Sequence, residues 1–537
     1  MEIKGGLFLL LRLGTAVLLG TSYVPDEYFQ SVEVAYRYVH GQGVVSWEWE
    51  DEYRIRSFLS LLPYVVLFKF MQLLGVQSQW CYAVGPRIMQ GIAVAVSDWC
   101  LYHLSSFGGH NQLREGFRAD SSWWTLFLHC SNWYWLYSAT RTLANTTETL
   151  TYIIVLYLWY SAKAEEERRG RSAFTWSTWL ALLLMCFQSY SRPTSVLLFA
   201  PIVAARFVDL LGRRGELLRL VMSCTFIGTI SVAVGIFADS SFYEKSWTIS
   251  PLNFLYFNIY RNVSSLFGTQ SFHWNFTVGL PTILGLSFPL LGCSFWLLKK
   301  EGSLIRTQKI LSQAIIAIIV FPLGLHCFSA HQELRFLAPV LPAAHIVLGS
   351  SIAVWTMKAG KEKYKSRRHL ALLVIGSIAV IHSLGALYLM TRHQSGPEMA
   401  VRELVQMATA SDKPRFSVML LAPCYMFPGF SFMHTPPSVE IQLEPLRCSP
   451  FEEKESSQSS LFAASPVAYY RSAKAGADAI LTFDAYSEKE ESNTDTLGQA
   501  LLRDGYHLEK SFHHADVRYD FDADLAPKRA LLYRRSS

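Results

Sequence analysis

A carboxylate that follows directly on an apolar segment sits where it can take a proton from a hydroxyl at a membrane surface, provided it comes within hydrogen-bond reach. The stretch Thr21–Ser57 opens with two such groups, Asp26 and Glu27, in Pro-Asp-Glu. Pro25 suits the first position of a helix, and carboxylates suit its first turn. Tyr28, Val32, Ala35, Tyr36 and Val39 recur at helical spacing before Gly41, so the spacing predicts an amphipathic helix along a membrane surface. The pair is then either a set of helix-start charges or a general base at the interface. Farther on, Glu48 stands between Trp47 and Trp49, whose rings suit an interfacial belt or a platform for a sugar, and Arg56 follows in Arg-Ile-Arg-Ser.

Three more polar motifs carry comparable chemistry. Arg-Thr-Leu-Ala-Asn-Thr-Thr-Glu holds Arg141, Asn145 and Glu148, and the Asn145 to Glu148 spacing equally makes a capping box at the start of a helix. Arg192 precedes Pro193, which suits a helix end with an arginine snorkelling to the interface. His331, Glu333 and Arg335 share the short turn His-Gln-Glu-Leu-Arg-Phe. Such groups are costly near lipid unless they pair or face a cavity. This turn is either an ion-pair cluster or a clamp for an anionic headgroup, with the Arg335 fork matched to phosphate.

Apolar segments near 5–22, 57–75, 84–103, 123–139, 146–161, 173–190, 195–211, 218–238, 278–298, 310–328, 334–357 and 369–390 must position these motifs. The first lacks a small-x-small cleavage site and is expected to be a spanning helix. Basic residues cluster at Arg114 and Arg118, at 163–171, at 213–219, at 299–309 and at 358–368, and the positive-inside bias puts these loops in the cytoplasm. The loops carrying Arg141, Arg192, Lys245 with Arg261, and Arg335 then share the lumenal face with Asp26. Two apolar segments separate Asp26 from Arg114, so one of them cannot cross. Residues 57–75 contain Pro63 and Lys69 and are expected to lie in the interface or re-enter, forming one wall of a lipid cavity. About eleven crossings and a lumenal C-terminus follow. The expected organisation is a membrane region, 1–390, with lumenal loops at 21–83 and 239–277, and a small α/β domain at 391–537.

Of the 537 residues, 51% are hydrophobic and only 17% charged, with a mean hydropathy of +0.21, which is a membrane composition. A net charge of +6 dispersed between apolar runs excludes a nucleic-acid stripe. No Cys/His cluster has metal-ligand spacing, so no metal is expected. Cys424 and Cys448 alone lie in a polar region, and an oxidising compartment would permit a bridge between them. In the C-terminal part, 416–423 and 479–483 read as buried strands, 496–505 as a helix stopped by glycine, and 451–465 as a mobile loop.

Taken in order, Pro-Asp-Glu-Tyr-Phe-Gln-Ser-Val-Glu-Val, Ser-Trp-Glu-Trp, Arg-Thr-Leu-Ala-Asn-Thr-Thr-Glu, Arg-Pro-Thr and His-Gln-Glu-Leu-Arg-Phe resemble the endoplasmic-reticulum mannosyltransferases that use dolichyl-phosphate-mannose. The resemblance implies a polytopic α-helical membrane protein of the GT-C type, without cofactor, its active site and C-terminal domain in the lumen. The elements 418–425 and 446–450 most resemble those family members that add the third mannose of the glycosylphosphatidylinositol precursor, in α-1,2 linkage by inversion. Asp26 is then the implied base, Glu27 orients it or the acceptor, and Trp47, Glu48, Arg56, Arg141, Asn145, Glu148, Arg192, His331, Glu333 and Arg335 are the implied substrate-binding set. Gln332 stands where the family has lysine. The alternatives are an enzyme of dolichol-linked oligosaccharide assembly and a polytopic transporter, although the latter commonly shows repeated halves and no internal repeat is visible here.

Overall fold

The computed structural model describes residues 2–105, 115–169, 175–300, 309–357, 361–451, 457–473, 476–489, 495–516 and 527–536. Arg114, Arg171, Arg306 and Lys358, used above to orient the loops, lie outside them. The chain divides into two units, one of 1–15, 54–60 and 90–386, the other of 16–53, 61–89 and 387–537. The first loop therefore folds with the C-terminal region, whereas the sequence separates them at residue 391.

The first unit is helical. Its helices Glu115–Ser131 and Val340–Met357 pack closely through small and polar side chains, as membrane helices do. Ser121 Oγ lies 3.2 Å from Ser350 Oγ, and His129 Nδ1 lies 3.1 Å from His345 Nδ1. Arg12 Nε donates to Asp98 Oδ2 at 2.7 Å, both fully buried. Among the described residues, six stretches are long and apolar enough to cross a membrane: Pro193–Leu210, Arg214–Phe242, Asn275–Lys300, Lys309–Phe328, Val340–Met357 and Lys365–Thr409. The expected figure of about eleven crossings includes helices that are more polar or shorter than these. The apolar run 123–139 is not one helix. Asn132 turns extended and its side chain accepts from Trp135 N at 2.9 Å, so a capped second helix, Trp133–Ser138, begins there. Residues 57–75 form a 3₁₀ turn, Phe58–Leu61, and a helix of 12 residues, Leu62–Leu73. At 1.5 Å per residue that helix is about 18 Å long, well short of a bilayer core.

The second unit holds a five-stranded sheet in the order β2-β1-β3-β5-β4, with β1 Arg415–Leu421, β2 Glu440–Pro445, β3 Ala479–Phe483, β4 Tyr506–His513 and β5 Arg529–Arg535. β1 is parallel to β2 and β3, and Leu420 pairs with Leu481; β5 runs antiparallel to β3 and β4. Leu497–Arg503 is the expected helix, opened by a Thr496–Gln499 capping box and ended by Gly505 at φ +82°. The stretch 451–465 departs from a loop, because Gln458–Ala464 is a helix capped by Ser457; residues 452–456 lie outside the described ones. Cys424 and Cys448 are bonded, with Cα atoms 5.8 Å apart.

The first-loop helix does not lie on a surface. Residues Tyr28–Val32 form a π turn and Glu33–His40 an α-helix, and Tyr28, Val32, Ala35, Tyr36 and Val39 are all buried, as are Phe29 and Val34 on the other side. The 3.6 periodicity marked a core face, and the core it meets is the C-terminal part of the same unit. The fully buried Glu33 carboxylate accepts from the backbone N–H groups of Val44, Phe430 and Ser431 at 3.0, 2.8 and 2.9 Å. Burial outweighs these donors and holds the carboxyl above its ordinary range. Gly429 is required here, because a Cβ would fall 2.3 Å from Glu33 Oε1.

Candidate active site

In the second unit, Tyr28 N and Phe29 N donate to Pro25 O at 3.0 and 3.1 Å, so the helix starts at the proline. Neighbouring helical positions point about 100° apart, and Asp26 and Glu27 separate accordingly. Asp26 is half-buried, and Gln30 Nε2 donates to its Oδ2. The same amide lies 3.3 Å from Glu48 Oε1, so one glutamine holds two half-buried carboxylates. π turns are frequent at functional sites, and this one carries Gln30.

Glu27 does not share that surface. It is fully buried, and its Oε1 accepts from Arg87 Nη2 at 3.2 Å. Of its two expected roles, orienting the acceptor or orienting Asp26, the buried tie to Arg87 fits the second. Trp47 and Trp49 are buried too, at 8% and 4% exposure, with Trp47 edge-on to Tyr53 and Phe451. They form neither an exposed sugar platform nor a belt.

The first unit holds the remaining candidates. Helix Trp176–Ser191 ends at Arg192, which is extended at φ −143°. Its guanidinium does not snorkel: Nε donates to Glu148 Oε2 at 2.8 Å. Glu148 is fully buried and also accepts from Ser195 Oγ at 2.7 Å and Thr194 Oγ1 at 3.5 Å. The capping box is therefore not formed. Thr146 N and Thr147 N donate to Leu143 O instead, placing the helix start before Asn145, and Glu148 is drawn away to Arg192. Asn145 is buried, with its Nδ2 unpartnered among the described residues. Arg141 is fully buried; its Nε donates to Tyr137 O at 3.1 Å and its guanidinium lies over the Tyr137 ring.

The turn after helix Lys309–Phe328 brings its three charged groups together. His331 Nε2 lies 2.9 Å from Glu333 Oε1, and Arg335 Nη2 and Nε reach the two Glu333 oxygens at 2.8 Å each. Burial would raise the Glu333 carboxyl, but Arg335 and His331 outweigh it and hold it at about 2. Burial would lower His331, but Glu333 and the Gly268 carbonyl outweigh it and raise the imidazole. Phe336 connects the two clusters, its ring 5.8 Å from the Arg192 guanidinium and 5.4 Å from that of Arg335. Burial, and then the Arg56 and Arg335 charges, lower Arg192 against the pull of Glu148. The Arg56, Arg192 and Arg335 guanidiniums thus act on one another, with Glu148 paired to Arg192 and Glu333 to Arg335. Gln332 turns inward. Its Nε2 donates to Ser329 O at 2.7 Å and its Oε1 accepts from Asn275 Nδ2 at 3.1 Å, a bond a lysine could not accept.

Residues that sequence patterns do not single out complete these arrangements. Asp239, fully buried, accepts from Ser57 Oγ, Phe58 N and Tyr190 Oη at 2.8, 2.9 and 3.1 Å. Tyr243 Oη donates to Arg56 O at 2.8 Å, so Asp239 and Tyr243 together hold the backbone from Arg56 to Phe58. A carboxylate in the apolar stretch 218–238 and its boundary was the available signal for Asp239; Gln30 and Arg87 had none. Among the described residues no group of three or more His, Cys, Asp or Glu side chains is placed to hold a metal ion.

The family described as the Alg9-like mannosyltransferase family matches residues 6–434. The GPI alpha-1,2-mannosyltransferase 3 of Danio rerio is 30% identical over 443 residues, 82% of this chain and 73% of that protein. The GPI mannosyltransferase 3 of Drosophila melanogaster is 29% identical over 456 residues, 84% of this chain and 72% of that protein. Among solved structures, ArnT from Cupriavidus metallidurans bound to undecaprenyl phosphate aligns with a TM-score of 0.57 at 12% identity, over 100% of this chain and 98% of that one. That likeness shows the fold, which is the GT-C type of membrane glycosyltransferases.

Proposed function

Since the chain belongs to the Alg9-like mannosyltransferase family, we propose that it transfers mannose from dolichyl-phosphate-mannose to a glycosylphosphatidylinositol precursor, adding the third mannose in α-1,2 linkage. The names of its relatives support the acceptor and the linkage. The observation that carries the chemistry is that three guanidiniums, those of Arg192, Arg335 and Arg56, act on one another in one region, two of them oriented by Glu148 and Glu333, which suits the leaving phosphate.

In this mechanism Asp26 accepts the proton of the acceptor hydroxyl as its oxygen bonds to the anomeric carbon. The bond from that carbon to the phosphate oxygen breaks, and its electron pair leaves with dolichyl phosphate. Displacement inverts the β-linked donor to an α-mannoside, and Asp26 is left protonated. Gln30 holds Asp26 beside Glu48. Arg335, with its planar fork, takes the phosphate, and Arg192 and Arg56 add charge. Glu148 acts through Arg192 and does not touch substrate. Fixed charges aimed where charge develops stabilise the transition state without reorganisation.

The multi-pass chain is placed by this proposal in the endoplasmic-reticulum membrane, with Asp26 and the C-terminal region lumenal. The basic clusters support that orientation, as does the Cys424–Cys448 bond, which suits an oxidising compartment. Helix Leu62–Leu73, with Val66, Phe70 and Leu73 exposed, fits an interfacial position. Lipid extracts of cells lacking this protein test the function. The precursor carrying two mannoses should accumulate; accumulation of a truncated dolichol-linked oligosaccharide instead would assign the other acceptor.

A further inference from the structure

The chain on either side of Asp26 is anchored at a single buried hub. Arg87, on helix Gln79–Leu104, is 2% exposed, and Glu27 and Glu398 are fully buried. The Arg87 guanidinium donates to Leu19 O at 2.8 Å, to Glu27 at 3.2 Å and to both oxygens of Glu398. Tyr28 Oη donates to Glu398 Oε1 at 2.8 Å and lies 3.0 Å from Ser22 Oγ. Leu19 and Ser22 before Asp26, and Glu27 and Tyr28 after it, all end on this hub. Phe432 closes it, with its ring 5.2 Å from the Arg87 guanidinium and edge-on to Tyr28.

A buried ion cluster is a poor device for stability alone, because well-packed apolar side chains of similar volume do as well or better. What directional bonds supply is orientation. With Glu27 drawn into the hub, the neighbouring helical position is fixed about 100° away from it and off the hub, and that position is Asp26. We propose that Arg87 and Glu398 are positioning residues for the general base, a proposal that rests on Asp26 being that base. It makes helix Gly396–Thr409, which carries Glu398, part of the catalytic apparatus.

The test uses the purified full-length protein in lipid nanodiscs, with dolichyl-phosphate-mannose and the two-mannose precursor. Glu398→Gln keeps shape and removes charge; Tyr28→Phe removes one hydroxyl and perturbs folding least. A displacement of about 1 Å can cost about 10²-fold in rate, so kcat should fall by about 10- to 10²-fold in Glu398→Gln and by a smaller factor in Tyr28→Phe. The KM values for donor and acceptor should stay within about twofold, because these residues act on the base and not on substrate binding. Action through Asp26 also requires that Glu398→Gln cause no further loss in an Asp26→Asn background, whereas an independent effect would multiply. Glu398→Gln and Tyr28→Phe both turning over at the wild-type kcat, with Asp26→Asn slow, would overturn the positioning role and leave the base standing. Multiplying losses in the double variant would overturn it as well. Wild-type turnover by Asp26→Asn would remove the base itself, and the positioning role with it.

Discussion

Glu148→Gln isolates the arrangement on which phosphate binding depends. The carboxylate is fully buried and accepts from Arg192, Ser195 and Thr194. Glutamine keeps an oxygen for Ser195 but loses the charge that Arg192 requires. Arg192 is 11% exposed, so solvent screens the lost charge little, and Arg192 loses the carboxylate that offsets the Arg56 and Arg335 charges acting on it. Neutralising one partner of a buried pair costs about 3–5 kcal/mol; with the Ser195 bond surviving, the lower end, about 3 kcal/mol, applies. At about 1 °C per kcal/mol for a chain of this size, the melting midpoint should fall by about 3 °C. Adding Arg192→Gln removes both charges and should restore most of that midpoint, while transfer stays low because one of the charges that assist Arg335 on the phosphate is gone. Thermal unfolding and mannose transfer on the same preparations read both effects. A single variant that melts and turns over as wild type, or a double variant no more stable than the single one, would refute the electrostatic account of this cluster.

Arg335→Lys should raise the donor KM at least about tenfold, since a point charge cannot reproduce the bidentate fork; donor titration checks this. The pH dependence of stability has a definite sign on each side. Glu333, lowered from 4.5 to about 2, contributes in full above 4.5 and loses that contribution as pH falls toward 2; His331, raised above 6.5, contributes in full below 6.5 and loses it as pH rises through its folded value. Melting midpoints should therefore decline on the alkaline side, and His331→Asn should abolish that decline. The Cys424–Cys448 bond closes a loop with a sequence separation of 24, for which loop entropy gives about 3.5 kcal/mol. Cys448→Ser should lower the midpoint of the second unit's unfolding, and added reductant should have no further effect on that variant.

What the sequence revealed follows from how local each cause is. The helix after Pro25 was legible because a 3.6 period needs only its own residues, but the partner of its buried face was not, since Glu33 and Phe430 are 397 positions apart. The period says that a face is covered, not whether lipid or protein covers it. β1 and β3 read as strands because parallel strands buried on both faces are continuous apolar runs. β4 is mostly exposed and β2 mostly half-buried or exposed, and neither carries such a run. The Asn145–Glu148 capping box failed because a long-range charge, Arg192, outcompetes a local backbone bond for the same carboxylate. Asp26, Glu148, Arg192 and Arg335 were found by their types and places; Gln30, Arg87, Asp239 and Glu398 become meaningful only through partners that folding brings to them.

The central claim is that Asp26 takes the acceptor's proton, and single-turnover transfer by Asp26→Asn addresses it directly. The substitution is isosteric at a half-buried position, so the protein should insert and melt as wild type and keep its donor KM, while the chemical step slows by about 10²- to 10⁴-fold. A well-folded Asp26→Asn protein that transfers mannose at the wild-type rate would contradict the claim.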